Sequence, residues 1–220
     1  MRITKVKSKY DLKRKIILSE INENLAEFIG ILTGDGYIGQ YNLQDRVVSI
    51  IEISVNKIKD LEYIENSVTP LIKELFNLNP NLYIKDGENT LRVIIYSKDI
   101  FQFIKELGFP SGNKGFISPP KWILDNEVFF KRFIKGFFDT DGCITIKNKE
   151  DKKYPVLNMG SKSKPLLEYI SIFLRNKGIS SYLGKVIGKD PRFKKESITY
   201  KLEINGKNNI ILFYELIGSN

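Results

Sequence analysis

The sequence predicts an α+β protein built from two pseudo-twofold-related αββαββα halves. Three observations carry this: a motif that recurs at a constant offset, a matching order of elements after each copy, and a Gly-, Pro- and Ser-rich segment between them. Residues 28–36 read FIGILTGDG and residues 134–142 read IKGFFDTDG. Gly30, Asp35 and Gly36 fall on Gly136, Asp141 and Gly142 at an offset of 106, which also carries Glu62, Tyr63 and Ile64 onto Glu168, Tyr169 and Ile170. An offset of 109 matches Lys98 to Lys207 near the end of each half. Chance can supply a short echo, but much less readily one whose downstream neighbours stay in register, the signature of a repeated unit.

In the first half a helix is expected over 22–35 and an alternating hairpin over 37–55. A helix over 58–76 carries Leu61, Ile64, Val68, Leu71, Ile72 and Leu75 at helical spacing. Strands at 81–86 and 90–97 form a hairpin through Asp86-Gly87, and 98–107 is a closing helix. The second half repeats the order: helix 126–141, strands 143–149 and 154–160, helix 163–177, strands 181–187 and 198–205, helix 207–217. The stretch LGFPSGNKGFISPPKWI (107–123) reads as linker. The division is therefore a basic arm at 1–21, a first half at 22–107, a linker at 108–125 and a second half at 126–220.

Composition narrows the chemistry. A formal charge of +9 and a pI near 9.4 favour a polyanionic partner. The chain has no His, which removes Ser-His-Asp triads, His-metal nucleases and zinc fingers built on His. Its one Cys, Cys143, excludes internal disulfides and cysteine-rich metal sites, in keeping with a reducing, intracellular setting such as a prokaryotic cytoplasm or an organelle. An enzyme of this composition must work with carboxylates, lysines, hydroxyls and amides. No apolar run reaches the roughly 18 residues of a membrane span. The basic start (Arg2, Lys5, Lys7, Lys9, Lys13, Arg14, Lys15) lacks the apolar core of a signal peptide. It reads either as a surface arm able to touch phosphate or as a solvated tail.

Each motif is an apolar helix ending in acid-glycine. Gly30 and Gly34 lie four apart on one face, as do Gly136 and Thr140. Small residues at that spacing let two helix backbones approach closely, which would bring Asp35 and Asp141 together at the C-terminal ends. Acids there oppose the helix dipole unless a cation compensates. Two carboxylates so placed make an oxygen-rich site suited to Mg²⁺, able to activate water and stabilise the leaving oxygen of a phosphodiester. One copy alone would favour an ordinary turn into a hairpin, whereas two copies in register favour a site. Asp139, opposite Thr33 in the repeat, is assigned a local capping or turn role.

The doubled motif resembles the paired motifs of the LAGLIDADG homing endonucleases, specifically the single-chain class with two copies, and the resemblance covers nearly the whole chain. It implies a DNA-binding saddle of two αββαββα halves with the motif helices at the centre. It also implies a monomer that cuts both strands of a long, specific double-stranded DNA site across the minor groove, leaving short 3′ overhangs, as in intron homing. Two or three divalent ions, Mg²⁺ with Mn²⁺ or Ca²⁺ able to substitute for binding, would be shared between Asp35 and Asp141, with carbonyls of Gly34 and Thr140 assisting. The family's basic residue beyond the last helix corresponds to Lys114 in the first half, and the second half has no matching lysine before Asn220. Polar residues around the active site correspond to Asn56 and Lys57 in one half and Ser161 and Lys162 in the other.

DNA reading is expected from the strands. Alternation sends Ile38, Ile144 and Ile146 to the core and leaves Tyr37, Tyr41, Thr145, Lys147 and Lys149 on the opposite face. Arg46, Glu52 and Ser54 share a face of the second strand, with Asn158 the counterpart of Glu52. Arg92 matches Lys201, with Glu203 beside it. Such side chains can read base edges in a major groove. Two other functions fit the same fold: an RNA maturase assisting intron splicing, and a DNA-binding protein that has lost catalysis. Retention of both acids favours cleavage. An intein is disfavoured by the start at Met1 and by the lack of a His before Asn220.

Overall fold

The computed structural model describes residues 5–84, 87–149, 152–190 and 195–219. Two helices form its centre, α2 (Glu23–Asp35) and α7 (Glu127–Asp141). Both start on an asparagine cap: Asn22 accepts from Leu25 N at 2.8 Å, and Asn126 from Val128 N at 2.9 Å and Phe129 N at 3.2 Å. Each cap satisfies amide groups that the first turn leaves without a helical partner. Every residue of α2 from Leu25 to Thr33 is buried, as expected of a helix apolar all round.

The small residues do what their spacing suggests. A Cβ at Gly30 would collide with the Phe133 carbonyl, and one at Gly136 with that of Glu27. A Cβ at Gly34 would strike the Thr140 side chain. The helices therefore run side by side in the same direction with their backbones in contact, and both C-termini reach one place.

Each motif helix runs into a four-stranded antiparallel sheet. The strands of the first are β1 (Gly36–Leu43), β2 (Arg46–Asn56), β3 (Asn81–Ile84) and β4 (Thr90–Tyr96), ordered β1-β2-β4-β3. Those of the second are β5 (Gly142–Lys149), β6 (Lys152–Ser161), β7 (Tyr182–Asp190) and β8 (Lys195–Asn205), ordered β5-β6-β8-β7. Equivalent registers confirm the repeat: Gly36 faces Ile53 as Gly142 faces Met159, and Ser54 faces Arg92 as Gly160 faces Lys201. The helices beneath the sheets are α4 (Thr69–Phe76) and α5 (Lys98–Glu106) in one half, α8 (Lys164–Asn176) and α9 (Lys207–Leu216) in the other. Lys98 and Lys207 each open the closing helix, as their match implies. One apolar core runs through both halves. Among the described residues no helix is long and apolar enough to cross a membrane.

Five expectations need correction or refinement. The helix expected over 58–76 begins as a short turn, α3 (Leu61–Tyr63), and passes through a π-helical stretch, Ile64–Val68, before α4. The wider turn keeps Ile64, Val68, Ile72 and Leu75 buried. Lys121–Leu124 of the linker is a helical turn, α6. The basic arm is docked rather than solvated. It contains α1 (Lys9–Lys13), whose Asp11 is fully buried and accepts from Ser97 Oγ at 2.9 Å and Asp99 N at 3.1 Å. Asp139 is no cap: it lies inside α7, 3% exposed, with its carboxylate 3.4 Å from Lys135 Nζ. Lys135 in turn reaches Glu27 of α2 at 2.7 Å, and Arg132 reaches the same carboxylate at 3.0 Å, so a buried ionic cluster joins the motif helices.

The fifth correction concerns Ile144 and Ile146. They share the parity of Ile38, which is fully buried, yet they are 46% and 60% exposed. Ile146 has an exposed counterpart, Gln40, so Ile144 alone departs from its repeat partner; beside Ile38 runs the linker, with Gly112 N donating to the Ile38 carbonyl at 2.8 Å. The second sheet has no such strap among the described residues. Asp86, in the expected hairpin turn, lies outside the described residues, as do Arg2 and Asn220.

Candidate active site

Asp35 and Asp141 end the two motif helices, and the Asp141 carboxylate lies against Gly34 of the other helix. Burial raises both carboxyls from the usual carboxylate range to about 6. The charge of Asp141 pushes Asp35 further in that direction, Asp60 adds to it, and Lys114 opposes the rise in both. The pair is thus held in an environment that disfavours two bare negative charges and rewards a cation.

One cation is in place. Lys114 crosses from the linker to the end of α2, where its ammonium donates to the carbonyls of Leu32 at 3.3 Å, of Thr33 at 2.9 Å and of Gly34. Leu32 O already accepts from the Gly36 amide, whereas those of Thr33 and Gly34 are last-turn carbonyls, so the ammonium both caps the helix and offsets its dipole. Burial lowers the Lys114 pKa, and the charges of Asp141 and Asp35 hold it up. The end of α7 differs: Thr140 Oγ1 turns back onto Gly136 O at 3.2 Å and Phe137 O at 3.0 Å, with no lysine on it among the described residues.

A groove of about 980 Å³ opens beside these groups and is lined by Gly34, Lys114, Asp141, Ser161, Lys162 and Lys201, among others. Of the expected polar residues, Ser161 and Lys162 line it, and register makes Lys162 the counterpart of Asn56, because residues 53 and 159 are equivalent. Asn56 Oδ1 accepts from Ile58 N and Lys59 N at 3.0 Å each, and Ser161 Oγ accepts from Ser163 N at 3.1 Å, so both hold turns. Lys57 donates its amide to Asn89 O and is not on the groove.

Metal-binding capacity follows from oxygen chemistry. Among the described residues no group of three or more His, Cys, Asp or Glu forms a metal cage. What the helix ends provide is two carboxylates and the Thr140 carbonyl, the Gly34 carbonyl being engaged by the Lys114 ammonium in this structure. This incomplete, hard, all-oxygen set fits Mg²⁺, which keeps several waters and completes its shell with substrate phosphate.

The sheet residues form a connected polar surface. On the first sheet Tyr37 faces Glu52, Glu52 accepts from Ser54 Oγ at 2.8 Å, and Arg92 lies 3.8 Å from Glu52. Arg46 is exposed at the far end of β2 on the same parity, and Tyr41 hydrogen-bonds Tyr96. On the second, Lys147 and Lys201 both bind Glu203 at 2.9 Å, and Thr145 Oγ1 accepts from Asn158 Nδ2 at 2.8 Å. Asn158 is almost fully buried. The side chain of Lys149 lies outside the described residues. Asp60, which hydrogen-bonds Asn56 N at 2.8 Å and acts on Asp35, escaped the sequence reading because its counterpart by the 106 offset is the apolar Leu166.

Comparison with known proteins agrees with this architecture. A family model described as a LAGLIDADG-like domain matches residues 130–218. The chain is 30% identical over 176 residues to reverse gyrase of Methanocaldococcus jannaschii, covering 78% of this chain and 9% of that protein. It is 25% identical over 206 residues to a DNA polymerase of Thermococcus kodakarensis, covering 87% and 11%. The chain thus spans about a tenth of the length of these relatives. Mesophilic variants of the homing endonuclease I-DmoI share the fold with a TM-score of 0.61 at 23% identity, over 89% of this chain and 95% of that one. The LAGLIDADG meganuclease I-AabMI bound to uncleaved DNA gives 0.55 at 11% identity, over 91% and 85%. Full-length DUF199/WhiA from Thermatoga maritima gives 0.57 at 15% identity, over 96% and 60%.

Proposed function

We propose, from the premise that this chain is a two-motif, single-chain LAGLIDADG protein, that it is a site-specific, metal-dependent DNA endonuclease. The observation that carries this is the pair Asp35 and Asp141, side by side at two helix ends, with Asp141 and Lys114 both lining the groove.

Asp35, Asp141 and the carbonyls of Gly34 and Thr140 would hold two or three Mg²⁺ ions, with Mn²⁺ or Ca²⁺ able to bind in their place. The bound ions supply a water of lowered pKa and neutralise the leaving oxygen. The protein's own groups do the rest. Lys114 brings positive charge to the phosphate, where transition-state charge develops. Lys162 and Lys201 reach the groove from the second half and are the candidates for the basic position that lacks a matching linker lysine. The water oxygen bonds to phosphorus and gives up a proton to solvent, the bond to the leaving oxygen breaks, and that oxygen takes up a proton from solvent.

The two sheets would lie in successive major grooves, with Arg46, Arg92, Tyr37 and Tyr41 reading one half-site and Thr145, Lys147, Lys149, Asn158, Lys201 and Glu203 the other. Because both motif helices belong to one chain and pack on each other, a monomer suffices. Relatives of unrelated names that match over a tenth of their length fit a portable module of this kind, carried by an intron or a longer protein. The test is incubation with the intact insertion-site duplex and Mg²⁺. Cleavage of both strands with short 3′ overhangs, abolished by EDTA, is expected, and a folded protein that leaves the site uncut would defeat the reading.

A further inference from the structure

The basic arm is fixed to the first half by two aspartates. Asp11 binds the Ser97–Asp99 turn, and Asp99 Oδ2 accepts from Lys7 N at 3.0 Å and Ser8 N at 2.7 Å. Further along, Ile16 enters the core, Ile17 N donates to Phe76 O at 3.2 Å, and Asn77 Nδ2 donates to Lys15 O at 3.0 Å. The backbone of residues 7–17 is thereby held at both ends. The one acid of the segment, Asp11, faces inward and its lysines outward: Lys5, Lys7, Lys9, Lys13 and Lys15 are all exposed. Among the described residues none of these five has an ion-pair partner.

The arm also has a defined place. Arg14 Nη1 donates to Tyr96 O at 2.6 Å, and its guanidinium lies 5.1 Å from the ring centre of Tyr10, which is 63% exposed. Tyr96 hydrogen-bonds Tyr41 on the sheet face that carries Glu52, Ser54 and Arg92. It sits at the end of β4 away from the motif helices, since Thr90 faces Asn56 and Tyr96 faces Ile50. Five exposed lysines are therefore carried on an arm anchored beside the Tyr96 end of β4, with the β1–β2 hairpin reaching further out to Leu43 and Arg46. In the repeat, the residues 106 positions on belong to the linker and α6, so the second half has no equivalent.

We propose that Lys5–Lys15 is a preformed phosphate clamp that grips duplex DNA beside the Tyr96 end of β4. This rests on the duplex-DNA reading above and extends it: phosphate contacts are added on the first-half side. A docked backbone gives up little conformational entropy when phosphate arrives, and each phosphate neutralised releases condensed counterions.

The experiment compares the salt dependence of binding of a long random-sequence DNA duplex, in EDTA, by the whole chain and two quadruple variants. One replaces Lys7, Lys9, Lys13 and Lys15 by Gln; the other replaces the exposed helix lysines Lys105, Lys121, Lys164 and Lys207, matching the change in net charge. The slope of log K against log salt should shrink by roughly 2 to 4 in the arm variant and by clearly less in the control. An equal change in both, no change in the arm variant, or a change seen only with an RNA duplex would overturn the clamp. A chain that cuts no DNA but shows the arm-dependent slope would defeat the proposed nuclease and leave the clamp standing. Cleavage with an unaltered slope would do the reverse.

Discussion

The two halves share a motif, a strand order and a register, yet they are finished differently. In the first, the segment after α5 straps over Ile38 and sends Lys114 onto the end of the motif helix. In the second, Ile144 and Ile146 stay open, and the end of α7 is closed by the Gly142 amide and its own Thr140, with no lysine on it among the described residues. Duplication therefore preserved what two packed helices require of each other, while the cover and the cation come from a connection used once. The proposed metal centre would be near-symmetric in its acids and asymmetric in its basic surround.

The largest effect should come from the symmetric part. Asp35→Asn and Asp141→Asn should each lower double-strand cleavage by more than about 100-fold, beyond the 10–100-fold usual for groups standing behind a metal ligand. Full activity in both variants would remove the acids from the chemistry. Next comes the strap. Ile38→Ala should cost about 2–5 kcal/mol in denaturant unfolding, as for a buried aliphatic side chain, while Ile144→Ala should cost under about 1 kcal/mol. Equal losses would mean that the second sheet is covered after all.

The ionic cluster between the motif helices breaks the symmetry in another way, because Glu27 lies on α2 and Lys135 on α7. Lys135→Met should destabilise by about 1–3 kcal/mol, less than the roughly 3–5 kcal/mol for a buried pair stripped of one partner, since Arg132 still faces Glu27. A neutral result would make the cluster dispensable. The acid pair also leaves a pH trace. Both acids have folded pKa values raised to about 6 from 3.8, so metal-depleted protein should lose stability as pH rises from about 4 through about 6. Melting followed in EDTA should display this loss, and Asp141→Asn should flatten it.

Much of this was legible in the sequence. Gly30 and Gly136 could be read because backbone contact between helices demands small residues at fixed spacing, and Arg92 could be matched to Lys201 because register propagates along a strand. The exposure of Ile144 could not, since it depends on a strap present in the other half alone. The inward turn of Asp11, the pairing of Asp139 and the approach of Asp60 to Asp35 also escaped. Each depends on contacts between distant segments that leave no period in the chain.

The most direct test of a shared centre is Mn²⁺ binding, followed by electron paramagnetic resonance, in the parent chain and in Asp35→Asn and Asp141→Asn. Either substitution alone should weaken Mn²⁺ binding by more than about tenfold, because both carboxylates serve the same ions. Binding in either variant that matches the parent chain would contradict a centre built from both helices.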